Sequence, residues 1–198
     1  MEKLNKWIKP AVIVLVIVTA IAWAAGSYNS LVALQERVES QWAQVENVYQ
    51  RRTDLIPNLV ATVRGYADFE RQTLNDVVEA RAKATSVNIN PQNLDENSLS
   101  QFQAAQGELS SALSRLMVVV ERYPDLKANQ NFLELQSQLE GTENRISTER
   151  NRFNETARQY NTMIRRFPRN LFASAFGFER KPYFEAVQGA AEAPKVEF

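Results

Sequence analysis

The chain has 198 residues, 44% hydrophobic and 23% charged, and its 23 basic and 23 acidic residues cancel. It contains no cysteine and no histidine, which excludes disulfides, thiolate and imidazole metal sites, cysteine nucleophiles and histidine-based triads. Gly and Pro number only 6 and 7, so turns are few, and the composition points to a helical, non-catalytic protein.

Ala11 to Ala25 reads AVIVLVIVTAIAWAA, uncharged and almost wholly apolar. With Trp7, Ile8 and Pro10 before it and Gly26 to Tyr28 after it, the stretch reaches about 20 residues, enough to cross a hydrocarbon core as a helix. Trp7, Trp23 and Tyr28 sit near its ends, as interfacial aromatics do. Lys3, Lys6 and Lys9 precede it, and the first charges beyond it, Glu36 and Arg37, cancel. The positive-inside rule then puts the N-terminus in the cytoplasm and the rest on the periplasmic or extracellular side of the inner membrane. A cleaved signal peptide is the competing reading, since the lysines, the apolar run and Ala22-Trp23-Ala24 fit one too. The length of the run and the lack of a polar spacer favour a retained anchor. Residues 1–27 are therefore expected to form a cytoplasmic stub and a single transmembrane helix, with the bilayer contacted through residues 8–27.

Beyond Tyr28, Leu31, Leu34, Val38, Trp42, Val45 and Tyr49 recur at spacings of three and four, one face of a helix. Ile56, Leu59, Val63, Tyr66, Leu74 and Val77 continue the pattern. Pro57 interrupts it by removing a backbone donor and disfavouring a helical Ile56. This predicts a turn or a kink at Thr53 to Pro57, between helices over 28–52 and 58–85. A turn is preferred, because it gives four helices of comparable length and brings the tail after Pro168 beside the bilayer. A mere kink would leave that tail some tens of Å away.

Ser86 to Asn97 (SVNINPQNLDEN) reads as a loop. Ser98 and Gln101 have capping-box spacing for the next helix, which carries Leu99, Phe102, Leu109, Leu113, Leu116 and Val120 on one face. Met117 to Val119 make its end apolar all round, as a stretch buried on several sides or as a partner surface. Arg122 to Asp125 ends it. In the last helix Phe132, Leu139, Ile146, Phe153, Tyr160 and Phe167 follow one another every seven residues. A sustained heptad means left-handed, near-antiparallel bundle packing. The second row reads Leu135, Thr142, Glu149, Thr156 and Met163, whose polar middle is a candidate buried layer. Glu149 either pairs with an arginine there or sits at the edge of the seam. Gly141 marks a candidate close helix crossing. Residues 28–168 thus form an all-α, up-and-down antiparallel bundle of about four long helices, and 169–198 form an aromatic tail.

Several phrases carry a resemblance. They are YNSLV (Tyr28 to Val32), RRTDLIPNLV (Arg51 to Val60), RGYADFE (Arg64 to Glu70), SRLMVVVERYPDLKANQNFLELQSQLEGTENRI (Ser114 to Ile146), YNTMIRRFP (Tyr160 to Pro168), and the final GF and YFEA. In this the chain resembles the LemA family of bacterial membrane proteins. The resemblance implies a helical bundle on a membrane anchor, no enzyme class and no agreed catalytic residues. The roles it suggests concern membrane organisation, envelope proteolysis and signalling.

Two polar groups stand out as candidate partner or membrane contacts. Arg51, Arg52, Asp54 and Asn58 cluster beside Pro57. They form either an anion or partner site at a helix end, or an ion-paired terminus capped by Asp54 or Asn58. Arg165, Arg166 and Arg169 lie among aromatics, and with Phe172 and Phe176 they suit lipid headgroups or the bundle's own carboxylates better than nucleic acid, since the whole chain is neutral and the expected topology puts it outside the cytoplasm. Glu143, Glu149 and Glu155 with Arg145, Arg150 and Arg158 read as a solvated or ion-paired face. The five aspartates are far apart, so no metal site and no cofactor are expected. Neither Ser-x-x-Lys nor Gly-x-Ser-x-Gly occurs, so no catalytic residue is assigned. The expected function is a non-enzymatic, single-pass envelope scaffold that forms a homo-oligomer or joins a membrane-protein partner. The alternative is a sensing or signalling module that binds a small molecule or peptide between helices.

Overall fold

The structure, a computed structural model, describes residues 2–66 and 70–185, with only the backbone for residues 2–9 and Asn93. Lys3, Lys6, Lys9 and Trp7 as side chains, Ala67 to Phe69 of the RGYADFE phrase, and the tail from Ala186 lie outside the described residues. The elements are all helical: α1 (Glu2–Arg64), α2 (Arg71–Ser86), a 3₁₀ turn (Pro91–Asn93), α3 (Glu96–Val120), the short α4 (Pro124–Lys127), α5 (Gln130–Arg165) and α6 (Arg169–Ala175). Among the described residues one helix is long and apolar enough to cross a membrane, near the N-terminus.

The expected turn at Pro57 does not occur. α1 passes through it unbroken, and the chain leaves α1 only after Arg64. A proline costs its helix the N–H that would bond the carbonyl four residues earlier, here that of Thr53. Arg81 of α2 replaces it, donating Nε–H to Thr53 O at 3.1 Å. Pro57 itself is exposed, so its ring meets solvent rather than a neighbouring helix. The helix expected over 58–85 is correspondingly split, its first turns belonging to α1 and the rest to α2.

The chain forms two compact units: Met1–Ser40 with Thr156–Lys181, and Gln41–Glu155 with Pro182–Phe198. In the second unit four helices alternate in direction. Arg81 to Thr53 sets α2 against α1. Trp42 on Phe102, and Arg52 bonded to Ser110, set α3 parallel to α1. Gln41 to Glu149 and Arg52 to Glu143 set α5 antiparallel to it. Ile56, Leu59, Val63, Leu74, Val77, Leu109, Leu116, Phe132 and Leu139 form one apolar core. Trp42, Tyr49, Phe102, Phe153 and Phe184 form an aromatic cluster, with ring centroids 4.9 to 5.9 Å apart.

α3 is capped by Asp95, not Ser98. The Asp95 carboxylate accepts from Ser98 N–H at 2.6 Å and the Ser98 hydroxyl accepts from Asp95 N–H at 3.2 Å, a capping box shifted by one turn. The bond from Ser98 N–H, with the Ser98 hydroxyl adding to it, holds the Asp95 carboxyl below its usual range. Val118 is 71% exposed, so the apolar end of α3 is not covered all round. The heptad row is buried from Phe132 to Tyr160, but Phe167 is 81% exposed. Gly141 meets nothing close, so no helix crosses there.

In the first unit, Leu31 and Val38 of α1 and Ala157, Tyr160 and Ile164 of α5 are buried, with Ala173 of α6. Val12 to Val18 and Ile21 are all more than half exposed. Phe172 packs edge-on against Trp23 at 5.4 Å, and Phe176 and Phe178 meet Tyr28 at 5.2 and 5.7 Å. The segment after Pro168 therefore lies at the end of the apolar run, the position expected of a turn at Pro57, although the break in the chain comes after Arg64. α6 stops at Gly177, whose φ of 74° suits a residue without Cβ; the Phe178 N–H returns to Ala173 O at 2.9 Å.

Candidate functional site

Arg52 is the central polar residue of the second unit. The helical period separates it from its neighbours: Arg51, Asp54 and Asn58 are exposed on one strip of α1, while Arg52 points inward and is 2% exposed. Its Nη1 donates to Ser110 Oγ at 2.7 Å and to Glu143 Oε2 at 3.0 Å. Its Nη2 donates to Gln106 Oε1 at 2.5 Å and to the Gln106 carbonyl at 3.3 Å. The guanidinium lies 5.2 Å from the Tyr49 ring centroid, and only Nε lacks a partner. One arginine thus ties α1 to α3 and α5. Burial pushes the Tyr49 phenol up, partly offset by Arg150 and Arg52. Asp54 pairs with Gln50 along the helix surface. No helix ends here, so neither Asp54 nor Asn58 is a cap.

An open groove of about 240 Å³ borders this network, lined by Arg52, Leu113, Met117, Leu139 and Glu143 among others. It is smaller than the ~300–1,000 Å³ typical of small-molecule sites. Glu149 lies on the second row of α5, with its side chain 15% exposed. It accepts from Gln41 at 2.8 Å and from Arg152 at 2.7 Å, not from Arg52. Among the described residues no three acidic groups converge as a metal site.

A feature absent from the sequence reading joins the chain's last described stretch to α5. Asn154 and Asn161 stand one heptad apart. Asn161 accepts from Lys181 N–H at 2.9 Å and donates to Lys181 O at 2.7 Å. Asn154 does the same to Phe184, at 2.8 and 2.9 Å. Each amide copies the hydrogen bonds of a neighbouring strand. Arg150 donates to Glu185 O at 2.7 Å, the Gln103 amide oxygen accepts from Glu185 N–H at 3.2 Å, and the Arg150 guanidinium sits 4.9 Å from the Phe184 ring centroid. The spacing of the two asparagines was the available signal, but polar residues on a helix usually read as solvated.

In the first unit, Arg165 and Arg166 are exposed, and Arg169 is half-buried with Nη1 2.6 Å from Met163 Sδ. Phe172 is half-buried and Phe176 60% exposed. These five residues share the end of α5 and α6. The Arg52 group belongs to the other unit. Inside the first unit, Tyr160 and Lys181 are buried. Burial pushes the Tyr160 phenol up to about 12, with Glu179 and Glu39 adding to it. Burial pulls the Lys181 ammonium down, against the same two glutamates.

The sequence profile of the LemA family matches residues 41–198. The chain belongs to the LemA family. The matched region of this LemA-family chain holds both polar groups and both asparagines. The chain is also similar to magnetosome protein MamQ 2 of Paramagnetospirillum magneticum, 28% identical over 87% of this chain and 70% of that one. Magnetosome protein MamQ of Magnetospirillum gryphiswaldense is 27% identical over 88% and 70%. Protein LemA of Metamycoplasma hominis is 24% identical over 81% and 70%.

Proposed function

We propose that this LemA-family protein is a non-enzymatic scaffold of the cell envelope, held in the inner membrane by residues 8–27 with its N-terminus in the cytoplasm. The observation that carries the reading is the exposed run from Val12 to Ile21, which in water would be far larger than the apolar patches soluble proteins tolerate. Lys3, Lys6 and Lys9 support the orientation. The buried polar groups of the second unit support a structural role: Arg52 and Gln106 are spent on joining helices. Partner contact is assigned to the exposed strip of Arg51, Asp54 and Asn58, and self-association to exposed Val118 and Leu133.

Alkaline carbonate extraction followed by crosslinking and pulldown from native membranes tests this. Retention in the pellet is the expected result, with membrane-protein partners captured by wild type and lost with Arg51→Glu, or a second copy captured by wild type and lost with Val118→Glu. Release by carbonate, or turnover of a defined substrate by the purified chain, overturns it.

A further inference from the structure

α6 and the residues at its two ends leave large apolar side chains in the open, Phe176 among them although one edge of its ring meets Tyr28. Phe167 is 81% exposed, Leu171 62% and Phe176 60%, while the neighbouring Ala173 is buried and Phe172 rests on Trp23. The depth of this face is set by its contacts. Phe172 is level with Trp23, and Phe176 and Phe178 with Tyr28. Those two positions on α1 differ by about 7.5 Å of helix rise. With residues 8–27 crossing the hydrocarbon, α6 lies at its outer boundary, in a headgroup layer about 5–8 Å deep.

The charge around it is mostly positive. Residues 165–180 carry Arg165, Arg166, Arg169 and Arg180 against Glu179 alone. Among the described residues no carboxylate forms a salt bridge with any of the four arginines. Apolar side chains at interfacial depth, flanked by arginines, are what a surface-lying membrane helix presents to anionic lipid. A second copy on the same face fits less well, because a two-fold contact would set these arginines against their own kind.

We propose that residues 165–178 form a second membrane contact. Phe167, Leu171 and Phe176 enter the acyl boundary, and Arg165, Arg166 and Arg169 hold the phosphates of anionic phospholipids. This rests on the reading that residues 8–27 span the bilayer, and it adds a lipid preference that a span alone does not supply.

The chain has no cysteine, so Leu171→Cys gives a single labelling site in the full-length protein. An environment-sensitive fluorophore there is followed in vesicles that contain brominated phosphatidylglycerol or brominated phosphatidylcholine in an otherwise equal mixture. Quenching is expected, with phosphatidylglycerol favoured about fivefold, the effect of one arginine near a charged surface. The preference should fall to near one when Arg165, Arg166 and Arg169 are all changed to Gln. A label at Arg37→Cys, further along α1, should stay unquenched. An unquenched Leu171 label on protein that resists carbonate overturns this inference and leaves the span intact, whereas release by carbonate sinks the span itself. Equal quenching by both lipids overturns the role of the arginines. Self-quenching between labelled copies without quenching by bromine assigns the face to a second copy instead.

Discussion

Arg81 donates its Nε–H to the carbonyl of Thr53, the helical acceptor that Pro57 leaves without a donor. Thr53 is buried, so the orphaned carbonyl could not have turned to bulk water. An unpaired buried carbonyl costs about 1–3 kcal/mol, which is the size of penalty that ends a helix. A charged donor from α2 removes it, and α1 continues for two more turns.

The two residues should therefore be coupled. Arg81→Ala should destabilise the bundle by about 1–3 kcal/mol with Pro57 present. Pro57→Ala alone should stabilise it by up to ~3 kcal/mol, the helix propensity gap. In the Pro57→Ala background Arg81→Ala should cost at least ~1 kcal/mol less, because the new N–H serves Thr53. Urea unfolding of all four proteins in mild detergent closes the cycle, and simple additivity would show that Arg81 does not rescue the helix.

Arg52 and Glu143 are unequal partners. Glu143 is 57% exposed and Arg52 is 2% exposed. Arg52→Ala empties the space of a fully buried side chain and strands Gln106, so a loss of about 3–5 kcal/mol is expected. Glu143→Gln leaves Arg52 its bonds to Ser110 and Gln106 but takes the carboxylate from a buried guanidinium, and with Glu143 half in solvent it should cost about 1–3 kcal/mol. Similar losses from both in chemical denaturation would mean that the ion pair, not the arginine, holds the three helices.

What the sequence disclosed was periodicity. Leu99 to Val120 and Phe132 to Tyr160 are buried as their three, four and seven spacings require, because a stripe of that period must find a core. What it concealed was compensation at a distance. Nothing near Pro57 in the chain announces Arg81, and nothing near Asn154 announces Phe184, since both partners arrive from other elements. Phe167 keeps the heptad spacing yet leaves the core, because Pro168 ends α5 one residue later and the seam has no further turn to occupy. Arg51 and Arg52 are adjacent letters with opposite fates, a distinction that the helical phase alone decides.

The amide clamp on the C-terminal stretch is open to a similar test. Asn154→Ala removes both bonds to Phe184 and should cost about 1–3 kcal/mol. Phe184→Ala empties the slot between Trp42, Phe153 and Arg150 and should cost about 3–5 kcal/mol. Hydrogen exchange separates the clamp from general packing. In Asn154→Ala the Phe184 amide should lose protection while that of Leu116, deep in α3, keeps it. Equal loss at both amides would mean that the clamp has no local role.

The buried pair in the first unit gives stability an alkaline signature. Tyr160 is fully buried, its hydroxyl has no partner, and its pKa stands at about 12 against an ordinary 10.0. Folded protein then holds that proton longer than unfolded protein does. The favourable contribution is complete below pH 10.0 and is lost as pH rises through about 12. Lys181 acts in the opposite sense. Its folded pKa is lowered from 10.5, so it destabilises at neutral pH, and that cost fades as pH climbs towards 10.5. Tyr160→Phe deletes the first effect and keeps the second. At neutral pH it should be neutral or stabilising by up to ~2 kcal/mol, because a buried hydroxyl without a partner is removed. Above pH 10.0 the wild type should lose stability relative to the variant. Urea midpoints of both proteins, measured from neutral pH to about pH 11.5, give the comparison. Parallel curves would show that Tyr160 titrates alike in the folded and unfolded chain and that its hydroxyl finds a partner in solution.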